Sequence, residues 1–105
     1  MKGKQKLIRD KIPEKAAKEG IKLITRTLNQ DEFETKVKEK LVEEANEVTM
    51  ASDREELINE LADVLELVRT VASINRIKLK EIESQRFKKL KKNGGFKKKL
   101  LWMPN

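Results

Sequence analysis

Apolar residues recur at helical spacing from residue 33 onward. Phe33, Val37, Leu41 and Val48 fall on one side of a helix, and Leu61, Val64, Leu67, Val68 and Val71 form a stripe on another. The helix punctuation agrees with this periodicity. Asn29 followed by Glu32 is a capping-box pattern, so a long helix is expected from near Gln30 to about Met50. Ser52 or Asp53 caps the next, with Glu55 and Glu56 in its first turn and an end near Ser73 to Asn75. So short a connection makes the two helices antiparallel neighbours. A third helix is expected from about Lys78 to Lys92, ending at Asn93, Gly94 and Gly95, where a left-handed cap is natural. Ahead of them, KLIRDKIPEKAAKEG reads as a short extended entry, then a helix with Pro13 in its first turn and Gly20 at its C-terminal end. IKLITRTL alternates imperfectly and admits a short strand near residues 21–28.

Acidic side chains interrupt both long apolar faces. At about 100° per residue, Glu44 lies between Phe33 on one side and Val37 and Val48 on the other, with Glu47 at the edge of that face and Glu43 further round. On the next helix Glu60 lies between Leu67 and Val71, with Asp63 at the edge. Antiparallel packing then brings Glu44 and Glu47 level with Asp63 and Glu60. Burying one unpaired carboxylate costs several kcal/mol, and a group of them repels itself unless a counter-charge sits inside. A divalent cation supplies that charge. An oxygen-only ligand set that also meets phosphate selects Mg²⁺, with Mn²⁺ as substitute. The competing role is structural, with these glutamates paired to lysines or arginines such as Lys36, Lys40 or Arg54.

Composition narrows the chemistry. The 105-residue chain has no cysteine and no histidine, which excludes disulfides, thiolate metal sites and an imidazole base. Catalysis must rest on carboxylates, lysines, arginines, water and hard ions. Its length fits one domain over residues 1–105, and its 41% charged and 37% apolar residues lead us to expect self-association to bury further surface. Charge is segregated: residues 1–30 carry +6, residues 31–66 carry −9 and residues 67–105 carry +10, giving the net +7. Organisation follows charge, with a basic segment 1–29, an acidic helical pair 30–75 and a basic helix and tail 76–105. No apolar leader and no run of membrane-spanning length is visible, so a soluble cytoplasmic protein is the expectation.

EEANE at Glu43 to Glu47, followed after twelve residues by ELAD at Glu60 to Asp63, resembles the E-E-x-x-E then E-x-x-D pattern of the MazG-like all-α nucleoside triphosphate pyrophosphohydrolases. KLIRDKIPE at Lys6 to Glu14 and GGF at Gly94 to Phe96 resemble the two ends of the phosphoribosyl-ATP pyrophosphohydrolase-like group. Many relatives have an arginine before the two glycines where this chain has Asn93. The resemblance implies an all-α bundle completed as a homodimer or homotetramer. It also implies cleavage of a nucleoside triphosphate between its α and β phosphates, giving the monophosphate and pyrophosphate. Carried onto this chain, it makes Glu44, Glu47, Glu60 and Asp63 the Mg²⁺ ligands and Glu43 the neighbouring acid. Either Glu43 or Glu47 is then the catalytic base.

Cations must face the phosphates. Lys40, one turn before Glu44, is the first candidate, followed by Arg9 and Lys11 of the N-terminal segment; a surface role is the alternative for each. Phe96 and Trp102 are expected to fill the end of the bundle, with stacking on a base as the alternative. Two other functions compete. One is hydrolysis of phosphoribosyl-ATP. The other is non-catalytic nucleic-acid binding through KLKKNGGFKKK and the N-terminal lysines, against which the acidic centre argues.

Overall fold

A computed structural model of the chain describes residues 5–104; Lys2 and Lys4 of the basic entry lie outside the described residues. It contains four helices, α1 (Ile12–Lys18), α2 (Gln30–Met50), α3 (Arg54–Ile74) and α4 (Leu79–Asn93). The fold is all-α. Each boundary has a local cause. In α1, Pro13 sits in the first turn, and the chain leaves through a Schellman turn: Gly20, at φ +80°, donates to Ala17 while Ile21 donates to Ala16. The capping box of α2 is complete, Glu32 N–H donating to Asn29 Oδ1 at 2.9 Å and Asn29 N–H to Glu32 Oε1 at 3.3 Å. Asp53, rather than Ser52, caps α3 by accepting from Glu56 N–H at 2.8 Å, and Glu56 in turn accepts from Ser52 at 2.9 Å. Gly94, at φ +82°, ends α4.

Residues 21–28 form no strand. A strand needs a neighbour for its backbone donors and acceptors, and here there is none among the described residues. The segment is an exposed connection, with Ile24 95% accessible, tied to α2 by Arg26, which pairs with Glu32 at 2.7 Å.

The one extensive helix–helix contact among the described residues is the antiparallel α2–α3 hairpin. Asn75, at the end of α3, donates to Glu34 near the start of α2 at 2.9 Å, which sets the register. Val37, Leu67 and Ala72 form the buried core, with Phe33, Leu41, Val48, Val64 and Val71 partly covered around them. Leu61 departs from the expected stripe and is 49% exposed on the outer side of α3. Phe96 and Trp102 do not fill the bundle end. They are 97% and 94% exposed because the tail that carries them packs on nothing in the single chain. The radius of gyration is 18.0 Å, against about 13 Å for a compact chain of this length. Much apolar surface is left uncovered. No described helix is long and apolar enough to cross a membrane.

Candidate active site

The hairpin register brings Glu44 of α2 opposite Glu60 and Asp63 of α3. One carboxylate oxygen from each of the three lies within 4.8 Å of the other two. Glu44 points inward: its side chain is only 16% exposed, as expected for a position between Phe33, Val37 and Val48. Glu60 and Asp63 are partly buried beside it. Glu47 is exposed one turn further along α2 and stands outside the three-carboxylate group, and Glu43 is exposed on the neighbouring side.

Such crowding disturbs the acids. The Glu44 carboxyl is held above the usual carboxylate range, first because it is withdrawn from water, then because it shares a hydrogen bond with Glu60 and faces the charges of Asp63 and Glu60; Lys40 opposes the shift. Two cations reach the group. Lys40 Nζ lies 3.9 Å from Glu44 Oε1, at the limit of an ion pair, and Arg9 Nη2 donates to Asp63 Oδ1 at 2.8 Å across 54 residues of sequence. Lys36 pairs with Glu39 instead, at 3.5 Å. With Arg9 60% and Asp63 30% exposed, that bond contributes at most about 1 kcal/mol. Neither cation supplies the compensation that three converging carboxylates require. An oxygen-only donor set with excess negative charge fits a hard divalent ion.

The raised Glu44 group has a signed consequence in metal-free protein. Its contribution to stability is complete below the pKa of an unfolded glutamate and is lost as pH rises through the elevated folded value. Glu44→Gln removes that loss. Urea denaturation in EDTA from pH 4 to pH 8 is therefore expected to show the variant gaining on the parent as pH increases. A parent that is the more stable of the two at pH 8 would show that Glu44 serves as a structural ion-pair partner.

A cleft of about 840 Å³ opens beside the acids, between the N-terminal segment and the hairpin. Glu44, Asp63 and Glu66 line it together with Arg9, Lys11, Lys15 and Lys40, so anionic and cationic walls face one space. Leu7, Ile8, Ile12, Phe33 and Leu67 form its apolar part. The three expected phosphate-facing cations are all present. Sequence reasoning missed Lys15 and Glu66. Both had a signal: Lys15 is one helical turn beyond Lys11, and Glu66 continues the three-residue step of Glu60 and Asp63. Gly94, Gly95, Phe96 and Trp102 do not line this cleft.

No curated protein and no solved structure matches the chain. The phosphoribosyl-ATP pyrophosphohydrolase family matches it over residues 4–89, a span that contains both acidic motifs and the KLIRDKIPE segment and stops short of Gly94-Gly95-Phe96. With a match covering most of its length, the chain belongs to the phosphoribosyl-ATP pyrophosphohydrolase family, within the MazG-like all-α NTP pyrophosphatase superfamily.

Proposed function

We propose that this pyrophosphohydrolase cleaves the bond between the α and β phosphates of a nucleoside triphosphate or of phosphoribosyl-ATP, in a Mg²⁺-dependent reaction that releases pyrophosphate. The observation that carries this reading is the meeting of Glu44, Glu60 and Asp63 oxygens within 4.8 Å beside a cleft lined by four cations. Glu44, Glu60 and Asp63 would hold the ion, with Glu47 as a fourth ligand or as the base. Mg²⁺, or Mn²⁺ in its place, neutralises phosphate charge and lowers the pKa of a bound water.

The chain's own groups do the rest. Lys40, Arg9 and Lys11 bind phosphate oxygens away from the acids, and Lys15 extends the same wall. Arg9 must exchange Asp63 for phosphate, a small cost for an exposed pair. Glu47 or Glu43 takes the proton from the attacking water. Glu47 stands outside the carboxylate group, which supports the base role over the ligand role. Leu7, Ile8, Ile12 and Phe33 keep water from the substrate's nucleoside end.

The family's name favours phosphoribosyl-ATP over an unmodified triphosphate, reversing the order in which the sequence ranks them. That compound is an ATP with an additional ribose phosphate. A cleft with four cations supports a substrate with more than one phosphate group to seat. The test is a panel of canonical and modified triphosphates together with phosphoribosyl-ATP, each with Mg²⁺, in which pyrophosphate and orthophosphate are measured separately. Pyrophosphate alone is expected, lost in EDTA and restored by excess Mg²⁺ or Mn²⁺. Orthophosphate as the product would overturn the reading. So would absence of turnover with tight, salt-sensitive nucleic-acid binding, which favours the non-catalytic alternative.

A further inference from the structure

Helix α3 is apolar on two sides. One faces α2. On the other, Leu57, Leu61 and Leu65 fall within about 80° of one another with Ile58 beside them. They are 38%, 49%, 61% and 55% exposed, and nothing in the chain covers them. Helix α4 has the same defect. Leu79, Ile82, Phe87 and Leu90 lie along one side and are 38%, 39%, 50% and 41% exposed, and α4 packs extensively on no other described helix. The tail behind it adds Leu100, Leu101 and Trp102, each more than 80% exposed. Solitary apolar residues on a surface need no explanation, but two four-residue stripes on separate helices do.

Charge indicates which surfaces match. The segment bearing the α2–α3 hairpin, residues 31–66, carries −9, and the segment bearing α4 and the tail, residues 67–105, carries +10. Pairing α4 with another α4 would set basic helix against basic helix. Pairing the outer face of α3 with itself would leave α4 bare. An anionic lipid surface or a nucleic acid would cover α4 and the tail, yet it would leave the α3 stripe in water and would be repelled by the acidic hairpin. A second copy of the chain covers both stripes at once.

We infer that the outer face of α3, Leu57, Ile58, Leu61 and Leu65, is the docking surface for the α4 stripe of a second copy, in a reciprocal two-fold dimer. Each copy gives its α4 and receives its partner's, so one contact occurs twice and the assembly closes. The arrangement explains why a single chain is extended to 56 Å: its basic arm lacks its acidic seat. The interface goes beyond the hydrolase reading and does not depend on it.

The test uses the full chain. Light scattering is expected to give the mass of two chains, and Leu65→Glu or Phe87→Glu alone to raise the dissociation constant on the order of 10²-fold or more, because each buries a charge in both contacts. Both residues are exposed in the single chain, so helix content by circular dichroism should hold. Mixing the two variants is expected to restore association, since the mixed dimer keeps one intact contact between the unaltered α3 of one copy and the unaltered α4 of the other. A second measurement avoids disruptive changes. The chain has no cysteine, so Leu65→Cys and Phe87→Cys chains of different tag size, joined by a short bismaleimide, should give chiefly the mixed product. A single chain at every concentration would overturn the inference, whether or not it binds anionic vesicles or RNA. So would a Leu65→Glu protein that stays fully associated, or cross-linking confined to Phe87→Cys with itself.

Discussion

Glu44→Gln and Asp63→Asn are each expected to lower the rate of pyrophosphate release on the order of 10²-fold or more while the protein stays folded. Several kcal/mol of charge stabilisation at the phosphates depends on an ion held by these oxygens, and each 1.36 kcal/mol is tenfold in rate. The amides keep the shape and lose the charge. Folding should not suffer in the metal-free state, because Glu44 is strained by burial and by its acidic neighbours. Activity and stability should therefore move independently. Asp63→Asn also weakens the seat of Arg9, but that exposed bond is worth too little to produce such a loss. Steady-state kinetics with saturating Mg²⁺, beside denaturation curves in EDTA, separate the two effects. Full activity in both variants would move the metal site elsewhere.

Leu67→Ala is expected to cost about 2–4 kcal/mol, a large share of the 5–15 kcal/mol typical of a whole domain. Leu67 is 8% exposed and is one of three buried apolar side chains among the described residues, with Val37 and Ala72. With so small a core, neighbouring side chains have little with which to fill the cavity. The melting temperature should fall on the order of 10–20 °C. Leu57→Ala, on the uncovered side of α3, should cost far less in dilute protein. Equal losses at the two positions would mean that the outer face is as well packed as the inner one.

What the sequence disclosed follows from what is local. The Asn29 and Glu32 pair fixes the start of α2 through contacts three residues apart, and the Asp53 cap and the Gly94 stop are equally short-range. The inward direction of Glu44 and the nearness of Glu60 and Asp63 follow from helical period and a short turn, so that part of the site was legible. The docking of the N-terminal segment was not. Arg9 reaches Asp63 across 54 residues, and no periodicity encodes such a contact. Residues 21–28 misled because alternation describes one strand and says nothing of a neighbour to pair with. The tail aromatics misled for a related reason: Phe96 and Trp102 have the composition of core residues, but the chain that bears them supplies no core to join.

The three residues between α2 and α3, Ala51 to Asp53, act as the zero mark of a ruler. Glu44 lies six residues before the last residue of α2 and Glu60 six residues after the first of α3, so both stand about 9 Å from the same fold in the chain. The meeting point is thus graduated by counting outward from the turn. A residue inserted between Glu44 and Met50 would slide one mark by about 1.5 Å and swing it by about 100°, whereas a longer turn that kept the helix ends level would leave both marks aligned.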